Sequence, residues 1–164
     1  MTEYKVLLIG ITRAGKSSII QRFSLGVNEG GKRIINYMTD DGERYKLVVC
    51  DTPCLDESAA NDSSYYIGAK AVIFLGCYDL RESLTSFGEL RNHIHKFIDP
   101  SSYLSFFAMN KCDIKGSSAV VTPQEIAKAK EELHVDHVYD ISIQEKIGVR
   151  HLFETIAHIL HDKK

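Results

Sequence analysis

With 164 residues, the chain has the length of one domain, enough to bury roughly 70% of its unfolded surface. Hydrophobic residues make up 44% and charged residues 26%, with 20 basic against 22 acidic side chains and a net charge of −2. That balance excludes a disordered, collagenous or coiled-coil chain and leaves no global basic excess for nucleic acid or an anionic membrane.

The first apolar run, residues 4–9, is nearly continuous, as a strand covered on both faces must be. A helical pattern follows over 16–25. A hairpin comes next: residues 33–39 and 43–50 flank Asp40-Asp41-Gly42, and Asp-Gly is a strong turn signal. Apolar strands recur over 71–78 and 103–109, with a weaker one over 137–141. Leu84, Phe87, Leu90, Ile94 and Phe97 fall at spacings of three and four, which predicts a helix over 83–98 ended by Asp99-Pro100. Thr122-Pro123-Gln124-Glu125 reads as a helix start, with Thr122 as cap, Pro123 at the first helical position and Glu125 closing a capping box. Val149, Leu152, Phe153, Ile156, Ile159 and Leu160 make one face of a final helix. This alternation predicts an α/β fold: a mostly parallel six-stranded sheet with one antiparallel edge strand and helices on both faces. The loosest stretches, 26–32 and 51–64, lie beyond strand ends, where such sheets bind ligands.

The four cysteines, Cys50, Cys54, Cys77 and Cys112, include no pair with the spacing of a zinc or redox motif, so reduced thiols in a cytoplasmic protein are expected. His93 and His95 do not share a helix face, and His151, His158 and His161 lack an acid or cysteine to complete a metal set. The start carries no signal-peptide pattern, and no apolar stretch nears the ~18 residues of a membrane span. The chain stops at His161-Asp162-Lys163-Lys164 without a cysteine for a lipid. The expectation is a single domain over 1–164, either unanchored or cut from a longer, lipidated chain.

Gly10-Ile11-Thr12-Arg13-Ala14-Gly15-Lys16-Ser17 fits G-x-x-x-x-G-K-[ST] between an apolar strand and an amphipathic helix. Gly10 and Gly15 permit a turn that aims successive N–H groups at one anion. The helix beginning at Lys16 adds its positive end. Lys16 suits the β- and γ-phosphates and Ser17 suits Mg²⁺. The candidate phosphate-binding residues are thus Gly10, Thr12, Arg13, Ala14, Gly15, Lys16, Ser17 and Ser18. Arg13 either lies across a nucleotide as a built-in cation or points to solvent. Asp51, at the end of an apolar strand, is either a metal ligand opposite Ser17 or a surface acid capping a turn.

Asn110-Lys111-Cys112-Asp113, after the 103–109 strand, resembles the N-K-x-D guanine motif of the Ras superfamily of small GTPases. The resemblance covers nearly the whole chain and implies a phosphate-loop G domain. Tyr65-Tyr66-Ile67-Gly68-Ala69, Asp79-Leu80-Arg81-Glu82-Ser83 and Arg22-Phe23 look most like the Rab branch. It implies that Asp113 accepts hydrogen bonds from the guanine N1–H and amino group, selecting GTP or GDP over ATP. Asn110 and Lys111 would brace that loop. Ser142-Ile143-Gln144 stands where the family has S-A-K or S-A-L, and there a backbone N–H at the Ile143 position would meet the guanine carbonyl. Gln144 departs from that pattern.

Other departures gather where the family senses and cleaves the γ-phosphate. Residues 25–36 hold no serine or threonine for the Mg²⁺ and γ-phosphate ligand of the first switch, and Thr39 is the first candidate. The second switch reads Asp51-Thr52-Pro53-Cys54-Leu55. Cys54 replaces a glycine and restricts the backbone, while Pro53 stiffens the turn. Leu55 replaces the glutamine that positions the attacking water and cannot hydrogen-bond it. Bulk at Thr12 and Arg13 would obstruct an external arginine finger. The sequence therefore implies an atypical Rab-like protein that binds guanine nucleotide and Mg²⁺, hydrolyses GTP slowly, and meets protein effectors and exchange factors in vesicle traffic. Its route to a membrane would be through a tail this chain does not carry. Two alternatives stand beside it: a nucleotide-bound scaffold that does not cycle, and an ATP-using phosphate-loop enzyme, against which Asn110–Asp113 argues.

Overall fold

The computed structural model describes residues 2–16, 18–19, 26–27, 33–38, 42, 44–52, 58–114 and 118–162. Its strands are β1 (Thr2–Ile9), β2 (Gly26–Val27), β3 (Arg33–Met38), β4 (Arg44–Asp51), β5 (Ala69–Cys77), β6 (Leu104–Asn110) and β7 (His137–Asp140). Its helices are α1 (Arg81–Thr85), α2 (Phe87–Ile94), α3 (Pro123–Glu132) and α4 (Val149–Asp162). The strands form one sheet in the order β2-β3-β4-β1-β5-β6-β7. β1 pairs in parallel with β4 and β5, and β6 joins β5 to β7 in parallel, while β2–β3 and β3–β4 are antiparallel.

Alternate residues of one strand serve two cores. Val6 and Leu8 face a layer containing Ile73, Phe106, Leu152 and Ile156. Leu7 and Ile9 face the opposite layer, with Val72, Phe74, Phe87, Phe107 and Ile126. Both faces are out of water, so the strand reads as a continuous apolar run rather than an alternating one. The phenylalanines interlock across the second layer: ring centres of Phe87 and Phe107 are 4.7 Å apart and those of Phe74 and Phe87 are 5.5 Å apart.

Three expectations are corrected. The sheet has seven strands, not six, because Gly26 and Val27 pair with Ile34 and Arg33 in a stretch read as loose. A two-residue strand needs only the backbone edge of its neighbour and leaves no side-chain period in the sequence. Its pairing also makes a second antiparallel connection. The helix expected over 83–98 is divided at Ser86 and ends at Ile94. The Thr85 and Ser86 hydroxyls bond back to the carbonyls of Glu82 (3.3 Å) and Ser83 (3.0 Å), a local competition that unsettles helical geometry. The expected start of α3 is present in full: Thr122 Oγ1 accepts from the Glu125 N–H at 3.2 Å, and Glu125 Oε1 accepts from the Thr122 N–H at 3.2 Å.

Candidate functional site

The parallel strands β1, β4, β5, β6 and β7 end along one edge, and the residues that follow them form the site. After β1, Thr12–Ala14 makes a 3-10 turn closed by Gly15 at φ +107°. Residues 16, 18 and 19 are helical, and the Ile19 N–H donates to Gly15 O at 3.1 Å. Right-handed residues closed by one left-handed residue form a concave nest of N–H groups. The two glycines serve different needs. Gly15 needs its positive φ, whereas a Cβ on Gly10 would sit 2.7 Å from the Leu75 carbonyl of β5.

Lys16 is only 6% exposed. Its ammonium donates to Thr52 O at 2.9 Å and lies 3.6 Å from Asp51 Oδ1 at the end of β4. Thr52, passed over in the sequence, is fixed by β1: its N–H (3.3 Å) and hydroxyl (3.1 Å) both donate to Leu8 O. Cys77 was also passed over. Its thiol donates to Ala14 O at 3.2 Å, and burial pushes its pKa up to about 11. Only its position at the exit of an apolar strand could have marked it. Arg13 is exposed and turns to Glu82 at 3.6 Å, a solvent-facing pair away from the nest.

Asn110, buried at the end of β6, joins two loops. Its Nδ2 lies 3.5 Å from Ala14 O, and its Oδ1 accepts from the Ile143 N–H at 3.0 Å. Gly15 leaves room for this crossing, since a Cβ there would stand 3.1 Å from both Asn110 Nδ2 and Ile143 Cδ1. Lys111, at φ +66°, donates to Asp79 Oδ2 at 2.6 Å, and that bond raises the ammonium's pKa. The Cys112 N–H donates to Ile141 O at 2.9 Å. Ser142 is buried and exchanges two 2.9 Å backbone bonds with Ile147. The structure thus gathers Ala14, Gly15, Lys16, Asp51, Asn110, Ser142 and Ile143, with Ser18 exposed on the helical segment after Lys16 and Asp113 and Gln144 exposed on adjoining turns. Ser17, Pro53, Cys54 and Leu55 lie outside the described residues, as does the side chain of Thr12.

The donor set fits a nucleotide's phosphates. A buried ammonium stands beside a nest of N–H groups at a helix start, and both suit an anion. For Mg²⁺, a hard cation, the carboxylate of Asp51 is an appropriate oxygen ligand on the same side as Lys16. A cavity of about 710 Å³ lined by Tyr4, Arg91, Ser105 and Leu160, among others, lies toward the opposite end of the strands and touches none of these residues.

A strand, a nest and a helix start at the carboxyl edge of a mostly parallel sheet define an α/β phosphate-loop nucleotide-binding domain. The chain matches the Ras family model over residues 5–162 and belongs to that family. It is 28% identical over 163 residues to the Ras-related protein Rab-18 of Caenorhabditis elegans, covering 95% of this chain and 79% of that protein. It is 27% identical over 166 residues to the Ras-related protein Rab-22A of Mus musculus, covering 96% and 83%. To RabT1 of Dictyostelium discoideum it is 28% identical over 163 residues, covering 93% and 72%. Among the described residues, no helix is long and apolar enough to cross a membrane.

Proposed function

We propose that the chain is a single Rab-like domain that holds GDP or GTP with Mg²⁺, hydrolyses GTP slowly, and works through effector and exchange proteins in membrane traffic. The observation that carries the nucleotide reading is Asn110, which ties Ala14 of the phosphate loop to Ile143 of the loop opposite. One side chain thereby sets the spacing between a phosphate subsite and a base subsite. Lys16 would leave Thr52 O and Asp51 for the β- and γ-phosphates, and the amides of residues 12–18 would take the remaining oxygens. Asp113 would read the guanine N1–H and amino group, the Lys111 stem would pack on the base, and a backbone N–H of 142–144 would face the carbonyl. Ser17 and Asp51 would hold Mg²⁺, which would neutralise charge between the terminal phosphates.

Slow hydrolysis rests on what is missing at the γ-phosphate. A leucine at 55 would offer the attacking water no hydrogen bond, a proline and a cysteine at 53 and 54 have less backbone freedom than the family's glycine, and residues 25–36 contain no serine or threonine for a switch hydroxyl. Arg13, paired with Glu82, supplies no internal arginine finger. Single-turnover hydrolysis is expected below roughly 10⁻⁴ s⁻¹, and a rate equal to an ordinary small GTPase would refute the slow reading. The absent switch hydroxyl equally supports a nucleotide-bound scaffold that does not cycle. Nucleotide released by denaturing the purified protein tests the binding reading: guanine nucleotide at about one per chain supports it, and adenine nucleotide overturns it.

A further inference from the structure

The exit of β5 holds three of the site's loops with consecutive residues. Cys77 holds the phosphate loop through Ala14 O. Asp79 holds the N-K-x-D lysine at 2.6 Å. Between them, Tyr78 reaches the end of β7, from which the third loop departs, because its hydroxyl donates to Asp140 Oδ1. The Tyr78 ring is 1% exposed. Its backbone is fully engaged as well: the N–H donates to Asn110 O at 3.1 Å, and the carbonyl accepts from Val120 (2.8 Å) and Val121 (3.1 Å). The hydroxyl therefore projects from an anchored point.

Asp140 is the last residue of β7. The next residue is pinned on both sides, with the Ile141 N–H on Met109 O and Ile141 O on the Cys112 N–H, each at 2.9 Å. The chain then turns through the Ser142–Ile147 bridge and delivers the Ile143 N–H to Asn110. A shift at Asp140 is thus carried directly into the segment assigned to the base. Recognition by backbone N–H groups tolerates a displacement of about 0.5 Å, so the departure point of this loop has to be fixed.

We infer that Tyr78 is a positioning residue that sets how long guanine nucleotide stays bound, acting through Asp140 on the loop 141–148. The inference rests on the guanine-nucleotide reading. Burial and the bond to Asp140 both raise the phenol's pKa, so the hydroxyl remains a donor at neutral pH. A charge-assisted bond of this kind is worth roughly a factor of ten in the equilibrium between seated and displaced loop, or about 1.4 kcal/mol.

The test is the dissociation rate of N-methylanthraniloyl-GDP with Mg²⁺ present. Tyr78→Phe keeps the ring and removes the donor, and dissociation should quicken about tenfold. Asp140→Ala should do the same, and the double variant should be no faster than either single one. Asp140→Asn, whose amide oxygen still accepts, should recover most of what Asp140→Ala loses. Tyr103→Phe removes a half-buried hydroxyl that bonds His95 at 2.5 Å near the start of β6, and it should leave the rate unchanged. An unchanged rate in Tyr78→Phe, or multiplying effects in the double variant, overturns the inference. If Tyr78→Phe does not fold, the contrast between Asp140→Ala and Asp140→Asn decides the matter alone, and equal rates for those two overturn it. Failure of the unaltered protein to bind the GDP probe overturns the guanine reading itself and is seen before any variant is made.

Discussion

At Lys16, stability and binding can be separated. The ammonium is nearly out of water, yet among the described residues its partners are one carbonyl and a half-exposed carboxylate. Removing it leaves Thr52 still tied to Leu8 by two bonds. Lys16→Ala should therefore shift the denaturant midpoint little while weakening GDP binding about ten- to a hundredfold, the worth of one or two charge-assisted bonds. Calorimetric titration beside an unfolding curve reads both, and a parallel loss in the two would show that the lysine is structural. Cys77 gives a pH dependence with a definite sign. Its thiol is raised from 9.0 to about 11 in the folded chain. The folded state then holds its proton more tightly than the unfolded state, and the resulting stability is complete below about pH 9 and lost as pH rises toward 11. Cys77→Val should flatten that part of the stability curve, and an unchanged slope would remove the thiol from the account. At Leu55, restoring glutamine should raise single-turnover hydrolysis by less than about tenfold, because no hydroxyl within residues 25–36 holds the γ-phosphate.

At the scale of elements, α3 is closed at its start by reciprocal bonds between Thr122 and Glu125. Glu125 also accepts two bonds from Arg81, the first residue of α1, at 2.9 and 3.2 Å. Thr122→Ala should cost about 1 kcal/mol by chemical denaturation, and a cost near zero would mean that Arg81 and Glu125 hold the helix start unaided. This capping box was legible because cap residues act within four positions of each other. The buried strands were legible for a related reason, since a run such as Val6–Ile9 records burial on both faces. What escaped depends either on a neighbouring element or on side-chain geometry that residue type does not specify. Gly26–Val27 becomes a strand only because β3 presents an edge. The break at Ser86 depends on hydroxyl rotamers that composition does not specify. The same division runs through the site. Gly15, Lys16 and Asn110 announce themselves by motif, whereas Thr52, Cys77 and Tyr78 act across 44, 63 and 62 residues of chain and carry no local signature.

For the whole molecule, the geometry of the sheet would make nucleotide binding and folding one equilibrium. The loops that would hold the ligand leave β1, β4, β6 and β7, and the exit of β5 braces them. A bound nucleotide would thus bridge strands on both sides of β1 and both hydrophobic layers beneath them. A ligand at a thousand times its Kd stabilises the folded state by about 4 kcal/mol, which for a chain of this size raises the melting temperature by about 8–16 °C. The two nucleotide states should differ little. An ordinary switch separates them because the γ-phosphate orders a segment through a hydroxyl and a flexible turn. Here residues 25–36 lack the hydroxyl, and the proline and cysteine at 53 and 54 have less intrinsic backbone freedom than glycine. Saturating GDP and a non-hydrolysable GTP analogue, each with Mg²⁺ and matched for occupancy, should give melting temperatures within about 2 °C of each other, under 1 kcal/mol on the same scale. A gap of 5 °C or more in favour of the analogue would mean that another group, Thr39 first, has taken over sensing the γ-phosphate, and the chain would then be a working switch.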